Sequence, residues 1–342
     1  MKILVIGGTG FIGPYVVRGL VADGHEVAVF HRSAHAADLP AGVHHIQGDR
    51  RELGAQRASF DGFAPEVVID VILSSGRQAA ALMDLFRGRA RRIVAVSSMD
   101  VYRACGVLHG SEPGDLEPLP LTEDSPVRTV LRTYPPANIK ALQSVFGWLD
   151  DEYDKIPVEQ AVLGDARLSG TVLRLPMVYG PGDPLHRFFP LVKRMDDGRP
   201  AILFADDFAG WRGSKGYVEN VGAAIARAAV SEKAAGRVYN VAANDAPTER
   251  EWAERVAAAT GWRGRLVTLP RERTPAHLLL PGNTRQHWVA SSRRIREELG
   301  YREPIEPDEA LQRTIEWERA HPPVPIDSGQ FDYAAEDAAL SA

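Results

Sequence analysis

Gly7, Gly10 and Gly13 fall at every third position in the stretch KILVIGGTGFIG, directly after a run of Ile, Leu and Val. Glycines so spaced between a strand and a helix bind phosphate. The first allows a tight turn, the second lets backbone approach a pyrophosphate, and the third lets the helix pack closely on its sheet, with phosphate at the helix N-terminus. Phe11 and Ile12 lie inside the same cradle. Pro14 is compatible with a helix start, because first-turn N–H groups have no intrahelical partner. The competing reading is a plain strand–turn–helix with nothing bound.

An acidic residue about twenty positions further on would hold the ribose diol of an adenosine. The residues there are Phe-His-Arg-Ser, so His31 and Arg32 occupy the place. An arginine suits a 2′-phosphate by charge and stacks on adenine, and NADP(H) is therefore expected over NAD(H). An exposed loop arginine is the alternative. Asp49, in QGDRRE beside Arg50, follows a third apolar run. It could hydrogen-bond adenine or cap a helix, and the two roles are compatible.

The elements needed to position these residues alternate short β-branched runs with longer amphipathic ones. Strands are expected at 2–6, 26–30, 43–47, 67–72 and 92–97, with helices ending near Gly24 and Phe86. That alternation predicts βαβ units, hence a doubly wound α/β fold with a parallel sheet and helices on both faces. Strands at 170–178 and 237–242 come far downstream. The expected division is a dinucleotide-binding domain over residues 1–178 with strand 237–242 added back, a smaller C-terminal lobe over 179–318 that is mainly substrate-binding, and a tail without a core of its own over 319–342. The run RQAAALMDLF carries apolar residues at helical spacing. They could pair two copies of the chain as a homodimer or simply cover the sheet.

Composition narrows the function classes. The 342 residues are 44% hydrophobic and 25% charged, ordinary for a globular protein. A net charge of −5 offers no global attraction for nucleic acid or anionic lipid. Cys105 is the single cysteine, so no internal disulfide forms, and no CxxC or HExxH spacing points to a metal. A small buried thiol is expected there. No segment is long enough to span a membrane, the N-terminal run lacks signal-peptide features, and a cytoplasmic protein is expected.

Taken together, GGTGFIG, GD at Asp49, VVID, VSSMDVY, LRLPMVYGPGD, GYVENVGAAI and RVYNVA resemble an extended short-chain dehydrogenase/reductase of the NAD-dependent epimerase/dehydratase type. The resemblance spans roughly residues 1 to 318. It implies a Rossmann sheet, and cofactor contacts extending to Arg50, Ile72, Ser97, Pro176 and Val178. It also implies a hydroxyl after the fifth strand, matched by Ser98, and a Tyr four residues before a Lys.

Lys155 and Glu159 match the KxxxE of that pattern, but Asp151 occupies the tyrosine position. Tyr153, two residues before Lys155, serves if the helix begins late, which Pro157 in a first turn permits. Tyr134 is a second candidate. Asp151 would pair with Lys155 one helical turn away or act as a base. Asp100 half-matches a dehydratase acid/base position or caps a loop. In the lobe, Arg187, Lys193, Trp211, Arg212, Tyr217 and His287 are of the types that clamp a diphosphate or stack on a planar group. The chemistry implied is hydride transfer on a small or sugar-like carbonyl or alcohol, by an oxidoreductase or epimerase. The alternatives are a cofactor-binding member performing non-redox isomerisation, or a binding protein for RNA or a nucleotide ligand, with RNA disfavoured by charge.

Overall fold

The computed structural model describes residues 1–32 and 39–341. Its strands are β1 (Lys2–Ile6), β2 (Glu26–His31), β3 (His44–Gln47), β4 (Val67–Asp70), β5 (Arg92–Ser98), β6 (Ser169–Leu175), β7 (Met177–Tyr179), β8 (Ala201–Ala205), β9 (Lys215–Tyr217), β10 (Val238–Asn240) and β11 (Arg265–Leu269). Seven of them form one sheet in the order β10–β6–β5–β4–β1–β2–β3, and every pairing in it is parallel. This is the Rossmann-like arrangement expected from the alternating runs. The strand order reverses at β1, the place where open α/β sheets bind ligands beyond the carboxyl ends of their strands.

Successive side chains of β1 enter opposite cores, as the two-residue period of a strand demands. Ile3 and Val5 join Val16, Val17 and Leu20 of helix Gly13–Ala22. Leu4 and Ile6 join Leu82 and Phe86 of helix Gly76–Phe86, with Val158 and Val162 of helix Lys155–Leu163. Both faces are covered, so the strand reads as continuously apolar. Within the chain, the buried face of helix Gly76–Phe86 (Ala79, Leu82, Met83, Leu85 and Phe86) covers the sheet.

Three features depart from the expectations. The run at 170–178 breaks at Pro176, which has no N–H to continue the ladder. β6 stays in the main sheet, whereas β7 pairs with β9 in a separate two-stranded sheet. Helix Val218–Val230, expected in the lobe, returns to the sheet and packs on helix Gly13–Ala22. Gly222 permits the approach, since a Cβ there would lie 2.7 Å from that of Tyr15. The expected tail instead forms helix Tyr333–Ser341, and its Glu336 is fully buried. Glu336 takes a hydrogen bond from Arg194 Nη2 at 2.7 Å and lies 3.1 Å from His277 Nε2, which anchors the segment to helix Phe189–Asp196.

Glu336→Ala leaves the Arg194 guanidinium buried without its carboxylate, and a loss of about 3 kcal/mol is expected in denaturant unfolding.

Candidate active site

Around the first turn, the three glycines do different things. Gly7 holds φ at +84°, and a Cβ on it would meet Ile72 at 2.7 Å. A Cβ on Gly13 would lie 2.2 Å from the Gly7 carbonyl oxygen, so its absence lets helix and turn touch. Gly10 is different: a Cβ there would meet nothing nearer than the Gly7 oxygen at 3.8 Å. No packing among the described residues requires glycine at position 10, and the backbone there is open to close approach. The turn thus fits a dinucleotide pyrophosphate at the start of helix Gly13–Ala22. The loop of residues 180–183 braces it: Tyr15 donates to the Pro181 carbonyl at 3.2 Å, and Gly182 approaches Phe11.

At the adenosine end, β2 finishes at His31, and Arg32 follows with an exposed side chain. The His31 ring is buried against His45, Nε2 to Nδ1 at 3.0 Å. Asp49 caps the turn Arg50–Gln56 by accepting from the Arg51 N–H at 2.8 Å. The Arg51 guanidinium beside it holds its carboxyl down at about 2. The Arg50 guanidinium is turned inward, 2.5 Å from Asp70 and 3.1 Å from Gln78.

At the carboxyl end of β5, Ser97 and Ser98 point to opposite sides. The buried Ser97 hydroxyl donates to Glu159 at 2.6 Å, and Glu159 is paired with Arg174, so this side chain ties β5 to helix and β6. Ser98 Oγ accepts from the Asp100 N–H at 3.1 Å, which leaves its proton to donate elsewhere. Helix Lys155–Leu163 begins at Lys155 itself, capped by the Asp154 carboxylate, with Pro157 in its first turn. Lys155 Nζ donates to the carbonyls of Leu73 and Val96, leaving one N–H for a ligand. Burial pushes this ammonium down to about 8, against the opposing pull of Asp100 and Asp70.

Both candidate tyrosines converge on Asp100. Tyr153 Oη donates to its Oδ2 at 2.8 Å and Tyr134 Oη approaches the same oxygen at 3.5 Å, with ring centroids 5.9 Å apart. Burial, then the Asp100 charge, pushes both phenols well above the ordinary tyrosine value. Burial likewise raises the Asp100 carboxyl, against the adjacent Arg128. Asp151 does not pair with Lys155. The helix starts after it, and its exposed carboxylate accepts from Gln143 at 2.7 Å.

The expected lobe residues are largely committed to the fold. Trp211 is buried and donates to the Gln286 carbonyl at 3.0 Å, Tyr217 is buried against Tyr179, and Lys193 pairs with Asp197. Arg187 is held by the Val178 carbonyl and Asp183, Arg212 by the Ala246 carbonyl, and His287 accepts from the Arg212 N–H. Pro176 packs beside Gly216. Cys105 is fully buried, and burial raises its thiol. Sequence reasoning missed Arg128, Asp154 and Trp148. Arg128 Nε donates to the Asp100 carbonyl at 2.5 Å, and Trp148 places its ring centroid 6.0 Å from Lys155 Nζ. No motif spacing marks them, because they sit in the irregular insertion before Lys155.

The profile of the NAD dependent epimerase/dehydratase family matches residues 3–242. The chain is 28% identical over 279 residues to a 2′-dehydrokanamycin reductase of Streptomyces kanamyceticus, covering 80% of this chain and 70% of that one. It is 27% identical to a UDP-glucose 4-epimerase of Streptomyces lividans, covering 94% and 97%. Among solved structures, the UDP-glucose 4-epimerase of Thermus thermophilus in complex with NAD superposes with a TM-score of 0.60 at 24% identity, covering 93% of this chain and 99% of that one. Among the described residues, no helix is long and apolar enough to cross a membrane.

Gly10→Ala is expected to keep the melting temperature and weaken nicotinamide-dinucleotide binding, whereas Gly13→Ala lowers the melting temperature itself; calorimetry with and without cofactor separates the two. Lys155 generates a pH dependence. Its folded pKa of about 8 lies below the unfolded value near 10.4, so the unfolded chain binds more protons between them and stability rises with pH across that window. Lys155→Met should lack the part of that rise seen in the wild type between about pH 8 and 10 when melting is followed against pH.

Proposed function

The chain belongs to the NAD dependent epimerase/dehydratase family and is an NAD(P)-dependent enzyme of the extended short-chain dehydrogenase type; from that premise we propose that it uses NADP(H) and acts by hydride transfer on a small or sugar-like carbonyl or alcohol. One observation carries the reading: the Tyr153 phenol, the buried Lys155 ammonium and the Ser98 hydroxyl are all held by backbone or side-chain atoms at the carboxyl end of β5, between Val96 and Asp100.

A bound nicotinamide dinucleotide supplies a two-electron donor or acceptor. The turn from Gly7 to Gly13 would hold its pyrophosphate, the remaining Lys155 N–H its nearer ribose, and Arg32 a 2′-phosphate. The chain's own residues do the rest. Ser98 donates to the substrate oxygen and fixes its direction. Tyr153 moves a proton at Oη as charge changes on that oxygen. Tyr134 and Trp148 crowd water away from the Tyr153 phenol and the Lys155 ammonium, where exclusion of solvent strengthens each polar contact. The relatives named for 2′-dehydrokanamycin and UDP-glucose support a sugar-like substrate, and the reductase and the epimerase among them span the net-redox and redox-neutral forms of this chemistry.

Arg32→Asp is expected to weaken NADP(H) by about 1.5–3 kcal/mol, the value of a charge-assisted hydrogen bond, with a much smaller change for NAD(H). Isothermal calorimetry measures both, and tighter NAD(H) than NADP(H) binding by the wild type would overturn the cofactor assignment. Following reduced-nicotinamide absorbance with a keto-sugar distinguishes stoichiometric reduction from inversion with no net change.

A further inference from the structure

Asp100 is 2% exposed, and its two carboxylate oxygens are treated differently. Oδ2 receives the Tyr153 hydroxyl at 2.8 Å and is approached by Tyr134 at 3.5 Å. Oδ1 is buried with no hydrogen-bond partner among the described residues. Hydrogen bonds from two phenols favour the ionised acid, and a bare buried oxygen favours the neutral one. A carboxyl caught between these two demands is suited to exchange a proton. Neither phenol is presented as a free donor, since the Tyr153 O–H is aimed at the acid. The Lys155 ammonium is aimed at two carbonyls, and its Nζ lies 5.8 Å from the Tyr153 ring centroid. A tyrosinate here would face an anion.

We infer that Asp100 acts through Tyr153 as the proton-holding partner of the site, so that the phenol passes protons between substrate and carboxyl and does not store the charge itself. This deepens the proposed hydride chemistry and rests on it. In the direction of alcohol oxidation, the substrate O–H bond breaks as a new O–H forms on Tyr153 Oη. The original Tyr153 O–H breaks as one forms on Asp100 Oδ2, and the C–H bonding pair leaves for the oxidised nicotinamide. Carbonyl reduction runs the same steps backwards, with Asp100 starting as the neutral acid. The charged and titratable groups that face Asp100 are Arg128 from the insertion, Tyr134 and Cys105 on one side, and Tyr153, Asp154 and Lys155 on the other.

The test uses the whole free enzyme and needs no substrate. Tyrosine ionisation is followed by tyrosinate ultraviolet absorption from neutral to alkaline pH. Asp100→Asn removes the anion that both phenols face, and the Tyr153 midpoint, read as the difference between chains with and without Tyr153→Phe, should fall by about one pH unit or more. In the Asp100→Asn background, adding Tyr153→Phe should remove the shifted ionisation. An unchanged midpoint in Asp100→Asn overturns the relay. If Asp100→Asn does not fold, Tyr153→Phe alone serves, read by the protonated-carboxyl infrared band. Without its phenol donor, Asp100 should remain protonated to higher pH, and an unmoved band overturns the inference. Because these titrations involve no turnover, their failure leaves the hydride reading standing, while failure of the enzyme to bind any nicotinamide dinucleotide removes that reading whatever the titrations show.

Discussion

Three demands meet on the carboxylate of Asp154. It accepts the Ile156 N–H at 2.9 Å and so fixes where helix Lys155–Leu163 begins. It lies 3.2 Å from Arg128, a guanidinium buried with it, and it takes the Arg132 N–H at 2.6 Å. The cap sets Lys155 at the first helical position. The ion pair draws the insertion down onto the sheet and delivers Tyr134 and Tyr153 to Asp100. Capping alone contributes about 1 kcal/mol, but an unpaired charge buried at this point would cost several times that. The start of the Lys155 helix and the seating of Arg128 and Arg132 both depend on this one side chain.

The surrounding platform is rigid for a related reason. Ser97, Glu159 and Arg174 form a closed buried network across β5, the Lys155 helix and β6, with the Arg174 guanidinium stacked on Tyr102 at 4.8 Å. Each polar group in it has a partner, which is the condition under which a buried network specifies one arrangement. Ser98 and Lys155 stand on this platform. The tyrosines come from the irregular insertion, held mainly by Asp100, Arg128 and Asp154.

Legibility in the sequence follows the same division. The glycine turn, the order of the first strands and the late helix start around Pro157 are readable because each obeys a local rule of period, turn or first-turn chemistry. Trp211 and Tyr217 mislead because an aromatic type says nothing about which way it packs, and both are buried in the fold. Asp151 misleads because pairing at four residues assumes that both partners lie in one helix. The return of helix Val218–Val230 to the sheet depends on Gly222 meeting Tyr15, a contact between distant segments with no local signature. Arg128 and Glu336 are invisible for the same reason: a charge reads as solvated until its partner is known.

β10 carries a consequence for how the chain folds. Its Asn240 accepts the Tyr102 hydroxyl at 2.7 Å and donates to the carbonyls of Leu121 and Ser291 at 3.3 and 3.2 Å. One amide thus joins the sheet, the insertion and the lobe, and the strand bearing it pairs with β6 only after much of the lobe has been traversed. Until then β6 is an open edge, able to recruit other strands. Contacts of such sequence separation form late and slowly, because the loop they close is long. Completion of the sheet and the joining of residues near 121 to those near 291 therefore belong to one event, because the same amide serves both.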